Sequence, residues 1–115
     1  MPVTYAQMRA MALDLPATTE VPTWEDEPTL RVNNKIFVMG HPDSAWVSLK
    51  CTKDDQAELI AMDPETYKSA AYVGRFGWVS VNLRRVAKAD LEALIVDSWR
   101  QIAPKRLVKA FDAER

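Results

Sequence analysis

Two short stretches of the sequence place a tryptophan on the same side of a predicted β-strand as polar or basic residues. Alternation along residues 45–51 and 77–83 puts aliphatic side chains on one face of each strand. The opposite face carries Trp46, Ser48, Lys50, Trp78, Ser80 and Asn82. Aromatic rings beside cations form a surface on which bases stack and phosphates are held, with stacking contributing ~1–3 kcal/mol per base. We therefore interpret this face as a candidate binding surface.

Further basic residues extend the predicted surface. Arg31 alternates with aliphatic neighbours, and Lys35 lies just past the following turn, so both are candidate phosphate contacts together with Lys50. The predicted basic flank consists of Arg75, Arg84 and Arg85. Trp46 and Trp78 are the candidate stacking platforms.

Two alternatives stay open for the same residues. Tryptophan and arginine are also the usual anchors of protein interfaces, so the surface suits a protein partner or a small ligand equally well. In the second alternative, one or more of the tryptophan rings is covered by other parts of the chain. For Trp24, at the end of a predicted strand, and for Trp99 we expect burial.

The residues needed for catalysis or metal binding are sparse. The chain has one histidine, His41, in a predicted turn, and one cysteine, Cys51, on the aliphatic face of its strand. No nucleophile elbow, phosphate-binding loop or dinucleotide fingerprint is present. One His and one Cys cannot complete a zinc site, and the acids at 25–27 and 54–58 are typical of a solvated face. We expect no enzymatic activity, no cofactor and no metal.

The bulk composition is that of one ordinary globular domain spanning residues 1–115. The hydrophobic fraction is 48% and the charged fraction 27%, and no apolar run is long enough to span a membrane. The start of the chain lacks the features of a secretory signal, and a lone cysteine suits a reducing compartment, so we expect a cytoplasmic location. The net charge of −1 argues against strong non-specific DNA binding. Residues 1–65 are acidic and residues 66–115 basic, which leaves room for a local basic flank.

Local patterns predict the elements that must position this surface. Thr4 and Gln7 have the spacing of a capping box that opens a helix ending before Pro16. Predicted strands span 18–24, 29–32, 35–39, 45–51 and 77–83, with Pro22 placing the first at a sheet edge. Predicted helices span 53–62, 89–102 and 105–111. The acidic segment before Pro28 is a predicted turn, and Asn33 and Asn34 favour a tight hairpin. Residues 67–72 are predicted to form a weak strand or an irregular segment. The order α-β-β-β-β-α-β-α-α indicates an α+β fold with helices on one face of a twisted antiparallel sheet.

Several short motifs match a known family in order and spacing. They are Leu13-Asp14-Leu15-Pro16, Trp24 followed by Pro28-Thr29-Leu30-Arg31-Val32, Lys35-Ile36-Phe37, Leu49-Lys50, Tyr72-Val73-Gly74 leading into Gly77-Trp78-Val79, and Asp97-Ser98-Trp99. On these residues the chain resembles the MmcQ/YjbR family of small bacterial proteins over nearly its full length. Where relatives commonly have a glycine in the hairpin turn, this chain has Asn33 and Asn34.

The resemblance implies a frataxin-like (CyaY-like) arrangement and a DNA-binding function in which the sheet and its hairpins form a double-wing surface. It implies no catalytic residues. The combined prediction is a non-enzymatic cytosolic binding domain that uses the aromatic and basic sheet face, with nucleic acid as the partner. A protein partner or a small ligand on the same face is the alternative.

Overall fold

The chain alternates short strands with four α-helices in a computed structural model that describes residues 2–24 and 27–114. The elements are α1 (Tyr5–Leu13), β1 (Thr18–Trp24), β2 (Glu27–Val32), β3 (Lys35–Gly40), β4 (Trp46–Leu49), α2 (Lys53–Met62), β5 (Tyr67–Ser69), β6 (Val79–Asn82), α3 (Lys88–Ile102) and α4 (Lys105–Ala113). A 3₁₀ turn, Gly74–Phe76, lies between β5 and β6. Of the predicted acidic turn, residues 25 and 26 lie outside the described residues, and so does the Trp24 side chain.

The strands form one open antiparallel sheet in the order β1-β2-β3-β4-β6-β5, which confirms the predicted α+β class. β1 is an edge strand, as its proline predicts, and Pro22 faces Pro28 of β2 next to a register shift. The other edge is β5, only three residues long, in the segment whose strand character was weak in the sequence. Within the described residues no helix is long and apolar enough to cross a membrane.

The first two helices, α1 and α2, begin where the sequence supplies a side-chain cap. The Thr4 hydroxyl accepts the Gln7 N–H at 3.1 Å, while Gln7 Oε1 accepts the Thr4 N–H at 3.0 Å, completing the predicted capping box. Thr52 accepts the Asp55 N–H at 3.1 Å at the start of α2. Asp54 and Asp55 lie in the first turn of α2, where negative charge complements the helix dipole.

The core lies between one face of the sheet, called here the inner face, and α1 and α3. Its strand residues include Leu30, Val32, Val38, Val47, Leu49, Val79 and Val81. The pairing of β2 with β3 shifts between Leu30, which faces Val38, and Arg31, which faces Ile36. This bulge lets the adjacent residues Phe37 and Val38 both enter the core, where each is at most 1% exposed. The core thus buries the aliphatic face of the sheet, and the polar face is directed away from the helices.

Trp99 joins three parts of the fold on the helix side. Its side chain is fully buried, as expected from the sequence, and its Nε1–H donates to the Pro16 carbonyl at 3.0 Å. The Phe111 ring of α4 lies against it with a centroid distance of 5.1 Å and a tilt of 54°. Trp99 thus connects α3 to the α1–β1 turn and to α4.

Candidate functional site

The register of β4 and β6 brings the predicted polar residues onto one face. Trp46 is opposite Asn82 and Ser48 is opposite Ser80, while Val47 and Val81 face the core between them. Beyond the end of β4, Lys50 Nζ lies 5.8 Å from the centroid of the Trp78 ring. The face opposite the core, called here the outer face, therefore holds the residues that alternation placed together.

A ring and a cation meet on the outer face, near the β5 edge of the sheet. Ser48 and Ser80 share a hydrogen bond with an Oγ–Oγ distance of 3.2 Å, and Lys68 of β5 is the next neighbour of Ser80. The Lys68 ammonium lies 4.1 Å from the centroid of the half-buried Trp46 ring, a cation–π contact. The sequence-based prediction missed Lys68, because only the pairing of β5 with β6 brings that residue next to Trp46.

This ring–cation pair lies in an open cleft of about 870 Å³ on the outer face. Met39, Ser48 and Ser80 line it, the turn after β3 forms one wall, and residues 71–73 form the other. The size falls within the range of about 300–1,000 Å³ that is usual for ligand sites. Trp46, Ser48 and Ser80 of the predicted surface therefore all line this cleft.

The loop after β5 presents two exposed aromatic rings that the sequence prediction did not select. Tyr72, on the cleft wall, is 95% exposed, and Phe76 is 60% exposed. The guanidinium carbon of Arg75 lies 4.8 Å from the Phe76 ring centroid, so the predicted basic flank begins here. The backbone of Tyr72 has φ = +63°, a left-handed conformation that costs a non-glycine residue ~1–2 kcal/mol.

Trp78 corrects part of the sequence-based picture. Its side chain is only 8% exposed, so the ring offers no open face for stacking, and the alternative of a covered ring holds here. The two tryptophans are also separated, because the antiparallel pairing puts Trp46 at the Asn82 end of β6 and Trp78 before the other end. Trp46 remains as the accessible tryptophan of the pair.

Arg31 and Lys35 are placed differently from each other. Arg31 donates from Nε to the Thr29 hydroxyl at 3.0 Å and from Nη1 to Asn34 Oδ1 at 3.5 Å, which holds it against the strand. Lys35 is exposed but pairs with buried Val32, so by register it belongs to the inner face at the hairpin end. Grouping Lys35 with the outer-face cations was therefore wrong.

The flank at the end of β6 is partly neutralised. Arg85 Nη2 lies 3.1 Å from Glu65 Oε2 and 3.8 Å from Asp63 Oδ1. The hydroxyl of Thr66, which donates to Asp63 at 2.6 Å, keeps the pKa of Asp63 below its ordinary value, and Arg85 adds to this effect. These ion pairs oppose the predicted contribution of Arg85 to the basic flank.

Arg84 and Asn82 lie together in the turn that follows β6. Arg84 is exposed, and its backbone N–H donates to Asn82 Oδ1 at 3.0 Å. That hydrogen bond engages the Asn82 oxygen in shaping the turn, while the Arg84 side chain stays available to solvent. Arg84 therefore keeps its place in the basic flank.

Two lysines bring positive charge to the outer face. The ammonium groups of Lys50 and Lys68 lie at the rings of Trp78 and Trp46, and Arg75 lies on the β5–β6 loop. Together with the rings of Trp46 and Tyr72, the cleft is suited to a ligand with planar groups and negative charge.

The single histidine and the single cysteine do not form a nucleophile–base pair. His41 precedes β4 and Cys51 follows it, so the strand separates them. Cys51 is buried, as the strand phase predicts, and this burial raises the pKa of its thiol. The His41 ring accepts the Asp43 N–H at Nδ1, at 3.1 Å, and lines the cleft wall.

The fold of the chain is similar to that of a solved structure. The crystal structure of Deinococcus radiodurans protein DR2400, family-model domain DUF419, superposes with a TM-score of 0.81 at 19% identity. The superposition covers 90% of this chain and 80% of that chain. At this identity the likeness establishes the shared fold.

Sequence comparisons identify relatives and a family. A 53-residue segment is 40% identical to uncharacterized proteins of Mycobacterium tuberculosis (Rv2570, strain ATCC 25618 / H37Rv) and Mycobacterium bovis (Mb2600). That segment is 46% of this chain and 41% of the length of each relative, so the match spans less than half of those proteins. The model of the YjbR family matches residues 13–101, most of the chain and both halves of the outer face. The protein therefore belongs to the YjbR (MmcQ/YjbR) family.

Proposed function

We propose that the protein is a non-enzymatic cytoplasmic domain that binds single-stranded nucleic acid on the outer face of its sheet. The observation that carries the proposal is the contact between Lys68 and the Trp46 ring inside an open cleft, with exposed Tyr72 on the wall. A base stacks on the exposed Tyr72 ring, while the Lys68 ammonium group beside Trp46 binds the adjacent phosphate.

The shape of the surface favours a single strand over a duplex. Reading a duplex requires a helix or ribbon that enters a groove, whereas stacking requires unpaired bases with free faces. The cleft walls are a turn and a loop, and its rings come from Trp46 on β4 and Tyr72 on the β5–β6 loop. A strand lying across β4 and β6 passes both rings and the Lys68 ammonium. Binding to a duplex is the outcome that would favour the double-wing mode instead.

We expect Lys68→Ala to weaken binding of a fluorescently labelled oligothymidylate roughly three- to tenfold, since it removes one phosphate contact and should lower the slope of log K against log salt by about 0.7. Lys50→Ala is expected to act in the same direction. Fluorescence anisotropy titrations at several salt concentrations measure both quantities. Lys109→Ala, on the exposed side of α4, is the matched control and should bind like the wild type.

Either of two results would reject the proposal. Absence of binding to any oligonucleotide at low salt, or an unchanged affinity and salt slope in Lys68→Ala, removes nucleic acid as the ligand of this cleft. A loss of the same size in Lys109→Ala would show that only the overall charge matters.

A substitution at Tyr72 tests the effects on binding and on folding stability separately. We expect Tyr72→Gly to weaken oligonucleotide binding by the ~1–3 kcal/mol of one stacked base. Its free energy of unfolding should stay the same or rise by up to about 1 kcal/mol, because glycine adopts φ = +63° without steric cost. Anisotropy and urea denaturation measure the two effects, with Tyr72→Phe as the control that keeps the ring. Wild-type affinity in Tyr72→Gly would contradict the stacking role.

A protein partner is the second candidate for this side of the molecule. Phe76 is 60% exposed, and the guanidinium group of Arg75 lies against its ring. An aromatic residue beside an arginine is a typical anchor of a protein interface. An apolar protein interface should be nearly insensitive to salt, whereas nucleic-acid binding falls steeply as salt rises. The salt titration therefore distinguishes the two candidates.

A further inference from the structure

A second cavity lies on the inner side of the sheet, between α2 and α3. Its volume is about 280 Å³, close to the lower end of the range for small-ligand sites. The floor is apolar and is formed by Leu49, Cys51, Leu59, Val79 and Leu94. Three carboxylate residues, Asp55, Glu58 and Asp97, line it as well. The cavity shares no strand face with the outer cleft.

The cavity exists because α2 and α3 cover different strands. α2 packs mainly against β5, whereas α3 packs against β3 and β4. No residue of α2 is fully buried, and Met62, at the end of α2 and on the cavity lining, is 67% exposed. A strip of the inner face between the two helices is thus left for another group to fill.

The three carboxylate residues are exposed, and they make the solvent side of this apolar cavity negative. Neither Asp55 nor Glu58 forms an ion pair with another described residue, and Asp97 has Arg100 at 3.6 Å. Lys50 also lines the cavity, but its ammonium lies near the Trp78 ring on the outer face. The Ser98 hydroxyl on the lining donates to the carbonyls of Lys50 and Leu94 and is already engaged. The unpaired charge that faces a ligand is therefore negative.

We infer that this cavity binds a small organic cation, a protonated primary alkylamine. Its hydrocarbon chain is complementary to the apolar floor, and the negative charge of Asp55, Glu58 and Asp97 on the lining favours its ammonium group. A metal ion does not fit as well, because the described residues contain no group of three His, Cys, Asp or Glu side chains arranged to hold one. A neutral molecule of the same length would contact the apolar floor but would gain no binding energy from the carboxylates. An anionic molecule would be repelled by them.

The inference is tested with three probes of equal chain length: hexylammonium, hexanol and hexanoate. In backbone amide NMR titrations of the full chain, hexylammonium should shift the resonances of α2, α3 and the end of β4 at concentrations where hexanoate does not. Asp55→Asn and Asp97→Asn should each weaken hexylammonium binding about fivefold. Asp54→Asn is the matched control, since Asp54 lies on the same helix turn but does not line the cavity.

Three results would overturn the inference. Equal affinity for hexylammonium and hexanol would show that the carboxylates play no part. Shifts scattered over the surface would show that no site is formed. An equal loss in Asp54→Asn and Asp55→Asn would reduce the effect to the total charge of the protein. None of these outcomes bears on oligonucleotide binding at the outer face.

Discussion

Replacing Trp99 with alanine is expected to lower the free energy of unfolding by about 3–5 kcal/mol, the usual cost of removing a large ring from a packed core. The ring is fully buried and packs against Phe111 of α4. The substitution also leaves the Pro16 carbonyl without its indole donor. A stability loss of this size is a large fraction of the total for a domain of 115 residues.

Equilibrium urea denaturation, followed by far-ultraviolet circular dichroism, measures this loss. Trp99→Phe is the informative companion, since it keeps most of the ring contact with Phe111 but removes the hydrogen bond to Pro16, for an expected ~1–3 kcal/mol. If Trp99→Ala unfolded at the same urea concentration as the wild type, the described packing of α3 against α4 would be wrong. If this variant does not fold at all, Trp99→Phe still provides the measurement.

Gly77→Ala is expected to lower the free energy of unfolding by about 2–4 kcal/mol, because left-handed backbone strain and overpacking add together. Gly77 has φ = +99°, where side chains are disfavoured. A Cβ atom there would lie 2.6 Å from the Cys51 carbonyl oxygen and 2.9 Å from the Lys53 nitrogen. Both neighbours are backbone atoms at the start of α2, which cannot yield as a flexible side chain can.

The control for Gly77 is Gly40→Ala. A Cβ on Gly40 would meet Val47 Cγ1 at 3.0 Å, a tight contact, but the backbone of Gly40 carries no left-handed strain. Gly40→Ala should therefore lose less stability than Gly77→Ala in the same urea titration. Equal losses, or a Gly77→Ala variant with wild-type stability, would contradict the described path of the β5–β6 loop over α2.

Local sequence signals predicted the elements of the fold well. The capping box at Thr4 and the helix 53–62 are confirmed, because both depend on residues within a few positions of one another. Strand phase at Trp46 and Ser80 is confirmed for the same reason, since alternation is a property of each strand alone. The resemblance to the MmcQ/YjbR family is confirmed by the match over residues 13–101.

What the sequence could not provide is the relation between distant strands. The antiparallel register of β4 and β6 separates Trp46 from Trp78, and no local pattern encodes that register. Lys68 reaches Trp46 only because a three-residue strand joins the sheet edge beside β6. The ion pairs of Arg85 likewise depend on the turn that brings Glu65 nearby. Site residues contributed by the topology were therefore missed or misplaced.

The two ends of the sheet also bear on how copies of the chain meet one another in a concentrated solution. An exposed, regular edge strand is a template for pairing with a second molecule. Here one edge carries Pro22 opposite Pro28 beside an irregular register, and the other edge, β5, is only three residues long. Proline removes backbone donors, and so short a strand has few backbone groups to offer an incoming chain. Both borders of the sheet therefore resist intermolecular β-pairing and the fibrous aggregation that follows from it.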